Sequence, residues 1–261
     1  MKFPKEAPEF RLRESKNERM TSTVLEYSND LKSRIEASLV EYAKQSQKLD
    51  QSFPQRLLNG FPNVLDAEEL FEKMRSVELK RENFKTLGIL DKNDTDVSAL
   101  WSPNLDNLDR SQLSVMSVYV HDMTEKMAIL ESLSNRIEIF LDVLNRKFTN
   151  KTLSINRERG LIVTSVGDQS INVSALSSGE QHELVLVYDL LFKVSPNALV
   201  MIDEPELSLH ISWQKEFIND IAEIISIAQF DVLMATHSPY IVGDRSDLLV
   251  ELSSTIDSNK K

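Results

Sequence analysis

The sequence predicts an α/β chain in which a helical region, residues 1–150, leads into part of a parallel-sheet fold. Three observations predict it. Apolar residues from Met116 to Phe148 recur in a 4-3-4-3 rhythm, the spacing that keeps a stripe on one helix face. After Asn150 the apolar period changes from helical to two, the alternation of a half-buried strand. Further on, the apolar runs Ala198–Ile202 and Val232–Ala235 each end in a polar cluster. Buried strands of parallel sheets read this way, and ligands gather at their carboxyl ends.

Composition narrows the class. The chain has 261 residues, 41% of them hydrophobic, which is ample for one large or two modest cores. Its formal charge of −11 argues against a surface that grips nucleic acid throughout. From Lys151 onward 8 basic residues face 16 acidic ones, so the acidic excess lies mostly with the later motifs. The absence of cysteine excludes disulfides and thiolate zinc sites. No apolar run approaches the roughly 20 residues that span a bilayer, and MKFPKEAPEFRLRESKNER has no apolar signal core. The expectation is a soluble, cytoplasmic protein without a membrane partner.

Residues 1–20 are charged and proline-interrupted, without a clear period. From Thr21 to about Leu49, Leu25, Leu31, Ile35, Leu39, Tyr42 and Leu49 recur mainly at helical spacings. This first helix is expected to stop before Phe53-Pro54, because the residue preceding proline is pushed out of the helical region. A turn, LLNGFPN, precedes a second helix over Asp66 to about Phe84, with Asp66 as N-cap and Glu69 three residues on. Residues 88–108 are rich in turn formers and read as a loop or hinge.

The third helix carries the stripe Met116, Val120, Met123, Met127, Leu130, Ile137, Leu141, Leu144 and Phe148, broken only by Ser134. So long a stripe needs a partner, and the first helix folded back antiparallel is the nearest one. Two arrangements remain open: a projecting coiled-coil arm, or helices covering a core within one compact domain.

After Asn150, TLSINRERGLIVTS reads as a hairpin with strands 152–157 and 161–165 turning around Gly160. A second turn at Gly167-Asp168-Gln169 leads to INVSAL, and strands then alternate with helices in a largely parallel sheet, over residues 151–252. The polar residues 253–261 are expected to be a disordered tail.

Three clusters carry candidate chemistry. Ser177, Ser178, Gly179, Glu180 and Gln181 open a helix, where free N–H groups and hydroxyls suit an anion such as a γ-phosphate. The same pattern is an ordinary capping box. Asp203 and Glu204 end an apolar strand and point to opposite sides of it. One can hold Mg²⁺ through its waters while the other orients or deprotonates an attacking water; a solvated strand end is the plain alternative. His237 ends the next strand, where it could contact a phosphate or be merely structural.

The order LSSGE, LVMIDE, THS resembles the C-terminal half of an ABC-type ATPase, a P-loop NTPase fold. Leu176–Glu180 matches the signature loop, Leu199–Glu204 matches Walker B with its glutamate, Pro205–His210 occupies the D-loop, and His237 matches the switch histidine. DEPELSLH followed by a helix with Trp213 and Phe217, and THSP after the next strand, is similar to the RecF, SMC and OLD-like branch, and more narrowly to ATPase subunits of anti-phage systems such as Septu and some retron-associated modules. His210 stands where aspartate is usual, although histidine is familiar in the OLD-like branch.

The resemblance implies ATP and Mg²⁺ as cofactors. Asp203 would hold Mg²⁺ through water, Glu204 would be the general base, His237 would contact the γ-phosphate, and Ser177 with the Gly179 N–H would complete the site in trans. Ser178, Glu180, Gln181 and His210 join the nucleotide-binding set. It also implies a homodimer through the signature and D-loop faces, with a nuclease subunit and DNA as candidate partners. One departure is large: none of the six glycines lies in a G-x-x-x-x-G-K-[ST] setting. The expectation is therefore a C-terminal part that hydrolyses ATP poorly or not at all alone. The alternative is a non-enzymatic interaction module or remnant.

Overall fold

The computed structural model describes residues 8–91, 108–167 and 169–250. Residues up to Phe192 form one compact unit and those from Lys193 a second.

The first unit is built on three helices, α1 (Pro8–Leu58), α2 (Ala67–Thr86) and α3 (Arg110–Lys147). α1 runs antiparallel to α3: Arg34 and Arg136 meet at neighbouring carbonyls, Phe192 and Leu191, while Lys126 pairs with Asp50 and Arg56 with Asp122. The antiparallel partner expected for the α3 stripe is thus present. Its stripe is buried at Met116, Val120, Met127, Leu130, Ile137, Leu141 and Leu144, and Ser134 is buried within it. α2 lies along the same helix in parallel, with Leu65 N–H on Ser117 Oγ at one end and Asn83 on Glu138 at the other. Leu70, Met116 and Val120 form their shared core.

α1 corrects two expectations. It begins at Pro8 rather than near Thr21, and it runs through Pro54 to Leu58. A proline inside a helix removes one backbone hydrogen bond and costs about 3 kcal/mol. Here the preceding turn is tied by side chains, since Ser52 Oγ and the Arg56 guanidinium both donate to the Leu49 carbonyl. Arg56 also forms a two-pronged pair with Asp122 at 2.5 and 2.6 Å. Anchorage on α3 holds the helix beyond the point where local preference would end it.

α2 begins as its sequence indicates, with the Asp66 side chain accepting the Glu69 N–H. The expected loop over 88–108 falls largely outside the described residues, as does the tail 253–261.

β1 (Lys151–Asn156), β2 (Gly160–Ser165) and β3 (Gln169–Ile171) form an antiparallel meander. β1 and β2 pair from Lys151 with Ser165 to Asn156 with Gly160. The first half of α1 rests here: Val24, Leu31 and Ile35 are fully buried, and Ser28 Oγ accepts the Leu161 N–H. α4 (Ser178–Tyr188) follows a 3₁₀ turn at Val173–Ala175 and passes into a π-helical turn, Asp189–Lys193.

The second unit contains β4 (Leu199–Asp203), the one-turn α5 (Ile211–Gln214), α6 (Phe217–Ala228), β5 (Asp231–Ala235) and the one-turn α7 (Pro239–Val242). β4 and β5 pair in parallel, Leu199 with Asp231 through Asp203 with Ala235. Phe217, Ile221, Ile224 and Ala228 are buried at 4-3-4 spacing on α6, which connects the strands. The chain is α/β as expected, but among the described strands the parallel pairing is confined to β4 and β5. Nor are these strands buried on both faces. Leu199, Met201 and Leu233 alternate onto one face and are 62%, 73% and 56% exposed, because no described element covers that side.

Candidate functional site

At the mouth of α4 the sequence builds a complete capping box. Ser177 Oγ accepts the Glu180 N–H at 3.3 Å, and Glu180 Oε2 accepts the Ser177 N–H at 2.7 Å. The same oxygen receives Lys151 Nζ at 2.6 Å. Burial alone would raise the Glu180 carboxyl, but Lys151 and the Ser177 groups outweigh it and hold the acid below its ordinary range. Gln181 is buried, with Nε2 donating to the Ser174 and Leu176 carbonyls and Oε1 accepting from Thr21. Both side chains are therefore occupied in shaping the turn. Ser177 and Ser178 are exposed and Gly179 is half-buried.

In the second unit, the residues after β4 and β5 are brought together by the parallel register. The two strands end level at Asp203 and Ala235, and the ladder continues one step as the Glu204 N–H donates to the Ala235 carbonyl at 2.8 Å. Glu204 takes the left-handed conformation, φ 44° and ψ 55°. For a residue with a side chain this costs on the order of 1–3 kcal/mol and persists only where the surroundings enforce it. His237 Nε2 lies 3.9 Å from Glu204 Oε1, and its side chain is 91% exposed. Glu204 and His237 line a shallow cleft with Glu206, Leu207, Gln214 and Ser238.

Asp203 is exposed and has no hydrogen-bond or ion-pair partner among the described residues. No group of three or more His, Asp or Glu side chains suited to a metal occurs among the described residues. The donor set, one exposed carboxylate beside Glu204, fits Mg²⁺ held through its own waters and not an inner-sphere protein cage. His210 sits apart from the cleft lining, capping α5 with Nδ1 against Ser212 Oγ at 2.8 Å.

The sequence reading missed Glu206. Its Oε2 accepts the Thr236 hydroxyl and its Oε1 accepts the His237 N–H, both at 2.8 Å. Burial opposes the charge on Glu206, yet these donors, its own N–H and that of Ser238 hold the carboxyl below its ordinary range. The third acid in DEPE was the available signal, but nothing in the sequence pairs it with a loop 31 residues away.

Within the second unit, a parallel strand pair ending in an acid pair, with a histidine beside the second acid, brings together residue types that can polarise water and contact phosphate. Residues 4–242 match the family model of the AAA ATPase domain, and the chain belongs to that family. Over 91 residues it is 32% identical to the Retron Ec83 probable ATPase of Escherichia coli, covering 31% of this chain and 16% of that protein. Among solved structures it is similar to the Smc head domain with an extended coiled coil bound to the C-terminal domain of ScpA from Pyrococcus furiosus. That similarity has 17% identity and a TM-score of 0.33, over 82% of this chain and 50% of that one. The Smc head domain with a coiled coil and joint from Pyrococcus yayanosii matches at 16% identity and a TM-score of 0.27, over 85% and 59%. The chain thus spans half the first structure's length and far less of the curated relative. No helix among the described residues is long and apolar enough to cross a membrane.

Proposed function

We propose that this chain supplies the water-activating and γ-phosphate-sensing half of an ABC-type ATPase site and hydrolyses ATP only together with a lobe that grips the nucleotide. The observation that carries this reading is the placement of Glu204 and His237, 3.9 Å apart at the ends of two register-matched parallel strands. Glu204 acts as general base on water, His237 contacts the γ-phosphate, and Asp203 holds the waters of Mg²⁺, which supplies charge neutralisation when bound. Ser177, Ser178 and the Gly179 N–H act on the γ-phosphate of a second copy's nucleotide, so the working form is a homodimer through the signature and D-loop faces.

The missing lobe is also the proposed cover for Leu199, Met201 and Leu233. Parallel sheets are covered on both faces, and this face is apolar and open. The similarity to a retron ATPase supports placing the protein in the anti-phage branch related to RecF, SMC and OLD, in the cytoplasm, with nucleotide turnover gating a nuclease-linked or DNA-linked activity. Closure around ATP would move α1 and α3.

ATP binding and turnover, measured with and without a phosphate-loop lobe from another member of the family, test the reading. Turnover that needs the lobe and vanishes in Glu204→Gln is expected. Absence of nucleotide binding even with the lobe would favour the interaction module, for which the open sheet face and the lack of a phosphate loop speak.

A further inference from the structure

Three acids stand within four positions at the end of β4, and the structure gives them different surroundings. Among the described residues the Asp203 carboxylate has no partner, and the Glu204 carboxylate has His237 at 3.9 Å as its ionic contact. Glu206 has both carboxylate oxygens occupied by donors from the loop after β5. A metal or an attacking water would have to displace those donors to use it.

The hydrogen bonds form a closed network. Thr236 Oγ1, while donating to Glu206, accepts the Ser238 N–H at 3.0 Å. Ser238 Oγ donates to Gln214 Oε1 at 2.8 Å, and Gln214 Nε2 returns to the carbonyls of Glu206 and Leu209, each at 3.3 Å. The turn after β4 and the loop after β5 are thus tied together by one carboxylate and one amide. His237 sits in the middle of the tied loop, its backbone fixed and its ring free to face the cleft.

Resting on the ATPase reading above, we propose that Glu206 is a positioning residue: its carboxylate fixes the Thr236–Ser238 backbone so that His237 is presented beside Glu204. The charge suits the task because a carboxylate accepts at both oxygens, and hydrogen bonds to an ionised acceptor are shorter and stronger than neutral ones. A residue that only filled space here would not need two acceptors. Glutamine retains one acceptor for the His237 N–H, and its amide can donate to the Thr236 hydroxyl oxygen. Alanine retains neither.

Backbone amide hydrogen exchange on the full chain tests this without any nucleotide. Glu206→Ala is expected to speed exchange at His237 by about tenfold or more, the loss of roughly 1.4 kcal/mol of local protection, while Leu233 and Ala235, whose N–H groups face β4 in the parallel register, exchange as before. Glu206→Gln is expected to restore most of the protection. Unchanged exchange at His237 in Glu206→Ala would overturn the proposal, and so would equal loss of protection along β5, which would make Glu206 a general stabiliser. In the assembled ATPase, Glu206→Ala should lower kcat by about 10- to 100-fold with KM unchanged, and a shift in KM alone would contradict it. Failure of the ATPase reading would show instead as absent nucleotide binding with the exchange pattern intact.

Discussion

His237 Nε2 lies 3.9 Å from Glu204 Oε1, although 33 positions of sequence separate the two residues. Parallel pairing of β4 with β5 creates this closeness, and the side chains of His237 and Glu204 are 91% and 43% exposed. Glu204→Gln should therefore leave thermal unfolding within a few tenths of a kcal/mol of the parent while lowering turnover of the assembled ATPase by about 10²- to 10⁴-fold. Calorimetry and phosphate release on the same preparations check both halves.

The passage of α1 through Pro54 depends on Arg56. Asp122 is only 4% exposed and is paired with that guanidinium, so Arg56→Ala leaves a buried carboxylate uncompensated and removes one of the two side-chain donors on the Leu49 carbonyl. A loss of about 3 kcal/mol is expected in urea unfolding of the full chain. A cost under 1 kcal/mol would show that the helix holds past the proline by other means.

Gly60 and Gly88 have nearly the same left-handed backbone, φ 77° and 76°. A Cβ at Gly60 meets nothing within 4 Å, whereas at Gly88 it would lie 2.0 Å from the Ile155 carbonyl oxygen on β1. Gly60→Ala should cost about 1 kcal/mol for backbone strain alone. Gly88→Ala should cost clearly more, since backbone must move; equal midpoints in a denaturant titration of the two variants would refute this.

Tyr188 donates to Asp30 at 2.6 Å and stacks on Tyr27, which donates to Asp189. Burial first, and then the Asp30 carboxylate, pushes the Tyr188 phenol well above its ordinary value; burial and Asp189 do the same for Tyr27. The folded state thus keeps protons that the unfolded chain releases. The resulting stability is fully present below about pH 10 and is lost as pH rises toward the folded values. Melting temperature should fall above pH 10, and less steeply in Tyr188→Phe.

Helix existence was legible wherever one stripe carried the packing. The α3 stripe identifies its helix, and Asp66 marks the start of α2 through its own side chain. The end of α1 was not legible, because the local rule at Pro54 is overridden by Arg56 and Asp122, which are 66 positions apart. Apolar runs suggested two strands buried on both faces, yet a run such as Ala198–Ile202 records what a strand needs, not whether the described chain provides it. That Glu204 and His237 lie close together was readable because motif order implies strand register. The hydrogen bonds of Glu206 were not, since they depend on two loops meeting in space. Glu180 and Gln181 show the reverse: residues singled out at the start of α4 have their side chains committed to Ser177, Lys151, Ser174 and Leu176.

ATP turnover of the purified chain, measured beside Glu204→Gln, tests the central claim most directly. The account predicts no Glu204-dependent hydrolysis by the chain alone and its appearance once a lobe with a G-x-x-x-x-G-K-[ST] loop is added. Robust hydrolysis by the chain alone, abolished by Glu204→Gln, would contradict it.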